Sequence, residues 1–583
     1  MEKKILLIST FSDKKLGMGH LKRSINTAKA LSDFFYPIIL INNNQEAIKE
    51  IEKTQIPYIK VYSKKDEIET LNKVSSEFII IDKRDTSFYK NIKQITVAVD
   101  NYGKDTDYFD FLFSPLPYIK EFNSNFSSLK YLVVDPNIFK IKKKQNKNIN
   151  NILVSFGGSD PNDLSFLAKN LLEEILITRS FNIKIILGPL YNGRLTKEKI
   201  DNPNIKIEGF KDSLYSEIEW ADLVITSFGI TAIESLIANR LVFVIDPTDY
   251  HNMLSKKLKI PSVIGDHNDF SNIKNMLNDF IRYPFSPIIE LPESNSFFAS
   301  VVKDILANKK STCPVCNNFK DRIVVHRNGV NNVFFCKKDK IIFRNETYFC
   351  DKNYGSEYFL SSYKKQYGKT YEEDRGNIDR LNRKRINVIK RLLGRKSRPK
   401  LLEVGSALGF FLDMARNSGF IVKGVEISKY GSDYSKNILK LDVINSSFTE
   451  IDFEYPSYDV VSMWYFIEHI KDMEKVILKI KKALKVGGIL ALSTPNCYGI
   501  TGRKNIKEYA KKIPDDHYYE FSPRSLTKVL EKYGFEKLKV VYTGCHPVRL
   551  WDKIPKFLYP VIIYFMKIFG LGDTFEAYYR LKK

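Results

Sequence analysis

Short apolar runs separated by amphipathic stretches recur along most of this chain. Over residues 1–145 the runs ILLIST, YPIILI, FIIIDK and ITVAVD are too short for helices and almost wholly apolar, as strands buried on both faces of a parallel sheet must be. The stretches between them are long enough for crossover helices. After a lysine-rich link, Lys140 to Lys147, the alternation restarts with ILVSFGG, IKIILG, LVITSFG and LVFVID, which predicts a second sheet of the same kind over 146–308. Residues 309–352 break the rhythm, carrying cysteines and little helical periodicity. A charged helical stretch from Tyr354 to Arg395 then leads into a third alternating region beginning at Leu401, so 353–583 reads as a further α/β domain.

Composition narrows the class. A chain of 583 residues is too long for one hydrophobic core, and 43% hydrophobic with 13% aromatic residues excludes a disordered or fibrous protein. No apolar run reaches the roughly 18 residues that mark a membrane-spanning helix. The apolar start Ile5–Ile8 gives way at once to Ser9 and Thr10, so it reads as a strand rather than an export signal, and a cytoplasmic protein is expected. A net charge of +24 suits nucleic acid, an anionic membrane or an anionic substrate equally well. Lysine, asparagine and isoleucine abound throughout, which favours a general compositional bias. The densest basic stretch, Arg383 to Lys400, holds nine Lys or Arg and no acid, and it reads as the solvated face of a helix. A nucleic-acid-directed role would draw support from this charge alone, without an RNA-binding motif, so no nucleic-acid partner is expected.

The strongest chemical signal is LLEVGSALGFFLDMA. A strand ending at Glu403 and Val404 meets a turn with Gly405 and Gly409 that opens a helix, where glycines let backbone approach a ligand closely. Glu426 in VKGVEIS ends the next strand, 21 positions after Gly405, where an acid can accept from a ribose diol. A dinucleotide site would want glycine at the middle position, which is Ala407. These residues resemble the class I S-adenosylmethionine-dependent methyltransferases, in their small-molecule and sugar-modifying branch. The likeness covers roughly 353–583 and runs in order through LLEVGSALG, GVEIS, YDVVSMWYFIEHI, LKVGGILALSTPN and HYYEFSPRSLTKVLEKYGF. It implies that Glu403, Gly405, Ser406 and Gly409 shape the cofactor loop, that Glu426 holds the ribose, and that Asp459 to Trp464 cover the adenine and methionine side. Methyl transfer to a hydroxyl also needs a base. The resemblance points to His469 and His517, whose segments overlook the cofactor pocket in this family. The alternatives are a packing or capping role for His469 and a substrate contact without proton transfer for His517.

Near the N-terminus, LGMGHLKRSINTAKAL places Gly17 and Gly19 in a loop after the first strand with His20 at the mouth of a helix, where it can meet an anion or simply cap. The second half repeats the arrangement. Gly157, Gly158, Ser159 and Asp160 follow one strand, and Thr226, Ser227, Gly229 and Thr231 precede a helix carrying Glu234, forming loops suited to a diphosphate with an acid for ribose hydroxyls. With Asp82, Asp100 and Asn252, these segments resemble the UDP-sugar hydrolases of the pseudaminic acid pathway and their relatives in spore-coat polysaccharide synthesis, over about residues 1–305. That resemblance implies the paired Rossmann-like halves of the GT-B fold, UDP held by the second half, and His20 activating the water that attacks the anomeric carbon. Lys83 and Arg84 after Asp82, Asn101 after Asp100 and Met253 after Asn252 depart from the hydrolase pattern. Nucleotide-sugar binding is therefore expected more firmly than hydrolysis. Hydrolysis, glycosyl transfer and a binding-only module remain open, with a UDP-sugar and a sugar or glycan acceptor as partners.

Six cysteines are too few for a disulfide framework, and CPVC (Cys313, Cys316) followed by Cys336 after 19 intervening residues is three-quarters of a zinc ribbon. Asp339, His326 and Cys350 are the candidate fourth ligands, and a metal-free remnant is the alternative to bound zinc. Finally, FLYPVIIYFMKIF (557–569) is strongly apolar and flanked by Lys553, Lys556 and Lys567. Two readings apply to 553–569: an interfacial segment bringing the protein to the inner face of the membrane, or a helix packed before a last strand GDTFEAYYRLKK that completes the third sheet.

Overall fold

The computed structural model describes every residue except 1–2, 13–18, 84–88, 90–91, 102, 104, 118–122, 145–147, 199–201, 307–309, 346, 351–354, 454–455, 552 and 583. The chain divides into two compact units, Met1–Lys310 with Arg327–Val330, and Ser311–His326 with Asn331–Lys583.

The first unit contains two six-stranded parallel sheets. One is built from β1 (Lys4–Thr10), β2 (Phe35–Asn42), β3 (Tyr58–Val61), β4 (Phe78–Asp82), β5 (Ile95–Val99) and β6 (Phe111–Phe113), in the order β3-β2-β1-β4-β5-β6. The other has β7 (Asn151–Val154), β8 (Asn182–Ile186), β9 (Ile205–Glu208), β10 (Leu223–Thr226), β11 (Leu241–Asp246) and β12 (Ser262–Ile264), in the order β12-β11-β10-β7-β8-β9. Both are doubly wound. In each, the order reverses beside the first strand, and such a switch point opens a crevice at the carboxyl ends of the strands. The apolar runs are continuous because both faces are covered. Leu6 and Ile8 of β1 join one core while Leu7 joins the other, and Leu223 and Ile225 of β10 are split from Val224 in the same way. The helix Gly19–Leu31 buries Leu21, Ser24, Ile25, Ala28 and Leu31, the three- and four-residue spacing of an amphipathic stripe.

The second unit opens with the cysteine segment, whose strands β13 (Arg322–Asn328), β14 (Asn331–Cys336) and β15 (Ile341–Arg344) form a small sheet. The main sheet contains β16 (Lys400–Val404), β17 (Ile421–Glu426), β18 (Val443–Asn445), β19 (Tyr458–Trp464) and β20 (Leu484–Pro495). A short strand, β21 (Tyr519–Glu520), pairs with β15, so the cysteine segment shares its sheet with the later chain rather than standing alone. The main sheet is completed by β22 (Phe535–Thr543) and β23 (Thr574–Leu581), in the order β18-β17-β16-β19-β20-β23-β22. The last strand inserts antiparallel between β20 and β22. Residues of β16 again alternate between two cores, Leu402 and Val404 in one and Leu401 in the other. Among the described residues, no helix is long and apolar enough to cross a membrane.

Candidate active sites

The loop after β16 is built on left-handed backbone. Gly405, Ala407 and Gly409 have φ of +70°, +49° and +81°. A Cβ at Gly405 would lie 2.8 Å from the Phe466 ring, so glycine is required there by both space and conformation. Glu426 at the end of β17 pins the loop, its carboxylate accepting from the Ala407 N–H (2.7 Å) and the Ser428 N–H (2.8 Å). Around this turn, at the carboxyl ends of β16 and β19, lie three buried polar atoms without a hydrogen-bond partner among the described residues: Glu403 Oε2, Ser406 Oγ and Trp464 Nε1. Buried polar groups are normally satisfied, so each of these atoms is a candidate to meet a polar ligand. Burial raises the Glu403 carboxyl well above its usual range, with Arg385 opposing and Glu426 adding to the effect. Burial also raises Glu426, against the pull of the amides that it accepts from. Arg385, buried on the helix Arg375–Leu393, stacks 4.1 Å from the Trp464 ring and donates to Glu576 at 2.8 Å. It was not singled out in the sequence because it sits within a run of surface-like cations.

Asp459 requires a correction. It lies at the start of β19, where its carboxylate accepts from the Lys400 N–H at 2.8 Å and pairs with Lys396 (2.7 Å) and Lys485 (3.1 Å). Trp464 stands five positions further along, at the carboxyl end of the same strand. The aspartate therefore ties strand starts together rather than facing the cofactor loop.

Immediately after β19, Ile467–His469 forms a single helical turn. His469 Nδ1 lies 3.3 Å from Asp516 Oδ2, while His517 Nδ1 lies 2.5 Å from Glu520 Oε1, whose other oxygen accepts from Tyr509 OH at 2.5 Å. The two imidazoles meet edge to face with centroids 4.6 Å apart. Glu468 is buried beside them, its Oε2 without a hydrogen-bond partner among the described residues, and burial pushes its carboxyl up to about 7. The ligand atoms of Glu468, His469 and His517 lie within 4.8 Å of one another. A backbone hydrogen bond from Tyr518 N to Glu468 O at 2.8 Å holds the two segments together. Sequence reasoning found the histidines but missed Glu468, Glu520 and Tyr509. The Glu-His pair in FIEHI and the three-residue spacing in HYYE were the available signals.

In the first unit, the order β1-β4-β5 brings together residues that lie far apart in sequence. His20 Nδ1 lies 2.6 Å from Asp82 Oδ1, and Arg23, one turn along the same helix, donates to Asp82 from Nε (2.7 Å) and Nη2 (2.6 Å) and to Asp100 from Nη1. Burial alone would raise Asp82, but Arg23 and His20 hold its carboxyl below the usual carboxylate range. Arg23 was missed, and its position three residues after His20 was the signal. Lys83 turns aside to pair with buried Glu67 at 2.7 Å, and Asn101 donates to Lys83 O at 3.1 Å. Gly17 and Arg84 lie outside the described residues.

In the second sheet of that unit, Gly157 adopts φ of +79°, and Gly157, Gly158 and Ser159 are exposed. Asp160 accepts from Leu164 N and Ser165 N and so caps the helix that follows. Ser227, Gly229 and Thr231 are half-buried where β10 leads into the helix Ile230–Ile237. Glu234 on that helix is pushed up to about 7 by burial and by Asp135. Asn252 is a second correction: it is buried, and its amide is spent on Ser262 Oγ (3.2 Å) and Asp246 Oδ2 (3.4 Å), so it braces the sheet rather than offering itself to a ligand.

The three sequence-predicted cysteines converge. Cys313, Cys336 and Asp339 are fully buried, and their ligand atoms, with Cys316 Sγ, lie within 4.8 Å of one another. Backbone N–H groups of Val315 and Asp339 donate to Cys313 Sγ and Cys336 Sγ, each at 3.4 Å. Lys528 pairs with the outer oxygen of Asp339 at 2.6 Å. Neither His326 nor Cys350 belongs to this group.

Residues 377–540 match the family model of a methyltransferase domain. An uncharacterised protein of Methanocaldococcus jannaschii is 29% identical over 281 residues, 43% of this chain and 57% of its own length, so the chain spans just over half of that relative. The ubiquinone biosynthesis O-methyltransferase of Coxiella burnetii is 25% identical over 180 residues, 29% of this chain and 76% of that enzyme. Among solved structures, a SAM-dependent methyltransferase from Archaeoglobus fulgidus is 19% identical, with a TM-score of 0.30, covering 39% of this chain and 100% of its own. Residues 377–540 form a methyltransferase domain.

Proposed function

We propose that this is a bifunctional, cytoplasmic enzyme of surface-glycan synthesis. A methyltransferase acting on a sugar is joined to a GT-B-type module that hydrolyses a UDP-sugar or transfers its sugar. The methyltransferase half rests on one observation: the cofactor loop and the His469–His517 pair both border the carboxyl end of β19, one through Phe466 against Gly405 and the other through the turn Ile467–His469 that follows.

When bound, S-adenosylmethionine supplies an electrophilic sulfonium methyl. The residues fit it. Among the described residues Glu403 Oε2 is an acceptor lacking a donor, as an ammonium group would provide, and Trp464 Nε1 is a donor lacking an acceptor. Methyl transfer is an in-line displacement, so the chain has to hold the acceptor and take its proton. Glu520, steadied by Tyr509, orients His517 through Nδ1, which directs Nε2 outward as the base. Asp516 does the same for His469. The Cys313, Cys316, Cys336 and Asp339 donors fit a structural zinc ion, with two amide-to-sulfur hydrogen bonds and Lys528 supporting the set.

The nucleotide-sugar half is supported by His20, which is oriented by Asp82 at a sheet switch point, and by the small-residue loops of the second sheet. Incubation with UDP-sugars and methyl-labelled S-adenosylmethionine tests both halves. The expected products are free UDP and a labelled sugar. Methylation without UDP release leaves the binding-only module, whereas cofactor binding without transfer to any sugar nucleotide or glycan rejects the sugar assignment. Metal analysis is expected to give one zinc per chain, and less than about a tenth of an equivalent would reject the site.

A further inference from the structure

The helix Tyr559–Ile568 precedes β23, but it does not pack as a core helix. Its sequence YPVIIYFMKI is apolar nearly all round, and of these residues only Met566 is buried. The segment leading into it and the residue after it are equally bare. Trp551 is 65% exposed, Phe557 78%, Tyr564 64%, Phe565 51%, Ile568 57% and Phe569 63%. Soluble surfaces carry single exposed apolar residues routinely, but a contiguous aromatic patch marks a binding surface.

The surroundings of the patch specify its partner. Lys553, Lys556 and Lys567 are exposed within it. Exposed Arg503 and Lys504 border it from another helix, donating to Phe569 O (3.5 Å) and Leu550 O (3.0 Å). Aromatic and aliphatic side chains ringed by cations match the two layers of an anionic bilayer surface, where rings sit at headgroup depth and ammonium groups meet phosphate. Ten helical residues span about 15 Å, half the hydrocarbon thickness, so the helix lies in the interface and does not cross it.

We infer that Trp551 together with residues 553–569 is a docking surface for an anionic membrane, seating the methyltransferase unit on a lipid bilayer. The inference is independent of the sugar assignment, because no residue of that site takes part. This helix precedes a strand that completes the sheet, and it still leaves its apolar face uncovered.

Vesicle flotation of the full chain tests it, with phosphatidylcholine vesicles lacking or containing phosphatidylglycerol. Binding is expected to the anionic vesicles, to weaken with added salt, and to raise and blue-shift tryptophan emission. The double variant Phe557→Glu, Phe565→Glu is expected to lose affinity on the order of a hundredfold, and Lys553→Glu, Lys556→Glu roughly tenfold, with cofactor binding retained as the check on folding. Absence of binding by the wild type, or binding that the aromatic substitutions leave unchanged, overturns the proposal. A concentration-dependent dimer that the Phe557→Glu, Phe565→Glu variant dissociates also overturns it, since a second copy would then be the occupant.

Discussion

A buried carboxylate lies close to histidine in each unit, but the two carboxylates are kept in different ways. Asp82, beside His20, is gripped by one edge of the Arg23 guanidinium, through Nε and Nη2, while Nη1 reaches Asp100, so it stays ionised although buried. Glu468, beside His469 and His517, is just as deeply buried but has no such clamp among the described residues, and it keeps its proton up to about pH 7. The same side-chain chemistry therefore gives a fixed anion in one place and a titrating group in the other. The deciding factor is whether a cation is supplied to offset desolvation. A fixed anion suits the holding of a histidine in one orientation. A group titrating near neutrality suits the handling of protons.

The comparison can be tested by removing one element at a time. The largest effect is expected from the histidine pair: His469→Ala with His517→Ala should slow methyl transfer about a hundred- to ten-thousandfold in single-turnover assays, with cofactor affinity little changed. Retained transfer would leave these histidines as packing groups. Next, Arg23→Leu strands Asp82 and Asp100 in a buried site and should cost about 3–5 kcal/mol in denaturant unfolding of the first unit. A loss below about 1 kcal/mol would show that water already reaches the pair.

Glu468 gives a pH dependence with a definite sign. Its unfolded value of 4.5 rises to about 7 on folding. Between these values the folded unit holds a proton that the unfolded chain has released, so stability falls as pH rises through that window, by up to about 3 kcal/mol. Glu468→Gln has no such proton, and its stability should decline less steeply over the same range. An unchanged slope would mean that the carboxyl ionises freely. The smallest effect concerns Ala407, held at φ of +49° in the cofactor loop. Ala407→Gly relieves left-handed strain but frees the unfolded chain, and a net gain of about 0.5 kcal/mol is expected by thermal melting.

The sequence by itself determined the parallel α/β character of the chain, because strands buried on both faces have to be short and wholly apolar. It also determined the Gly405–Gly409 turn, because left-handed backbone calls for glycine, and it exposed the CPVC pair through its spacing. These are local constraints, each written in a few consecutive residues. Tertiary structure alone decided which distant residues meet. Strand order set Asp82 and Asp100 around Arg23, the β15–β21 pairing tied the cysteine segment to the later chain, and Asp339 rather than His326 or Cys350 joined the cysteines. The direction of a strand placed Asp459 at its start, away from the ligand end, and packing turned Asn252 inward. Pairing across hundreds of residues depends on how sheets stack and which end of a strand faces the crevice, and no short window of sequence records that.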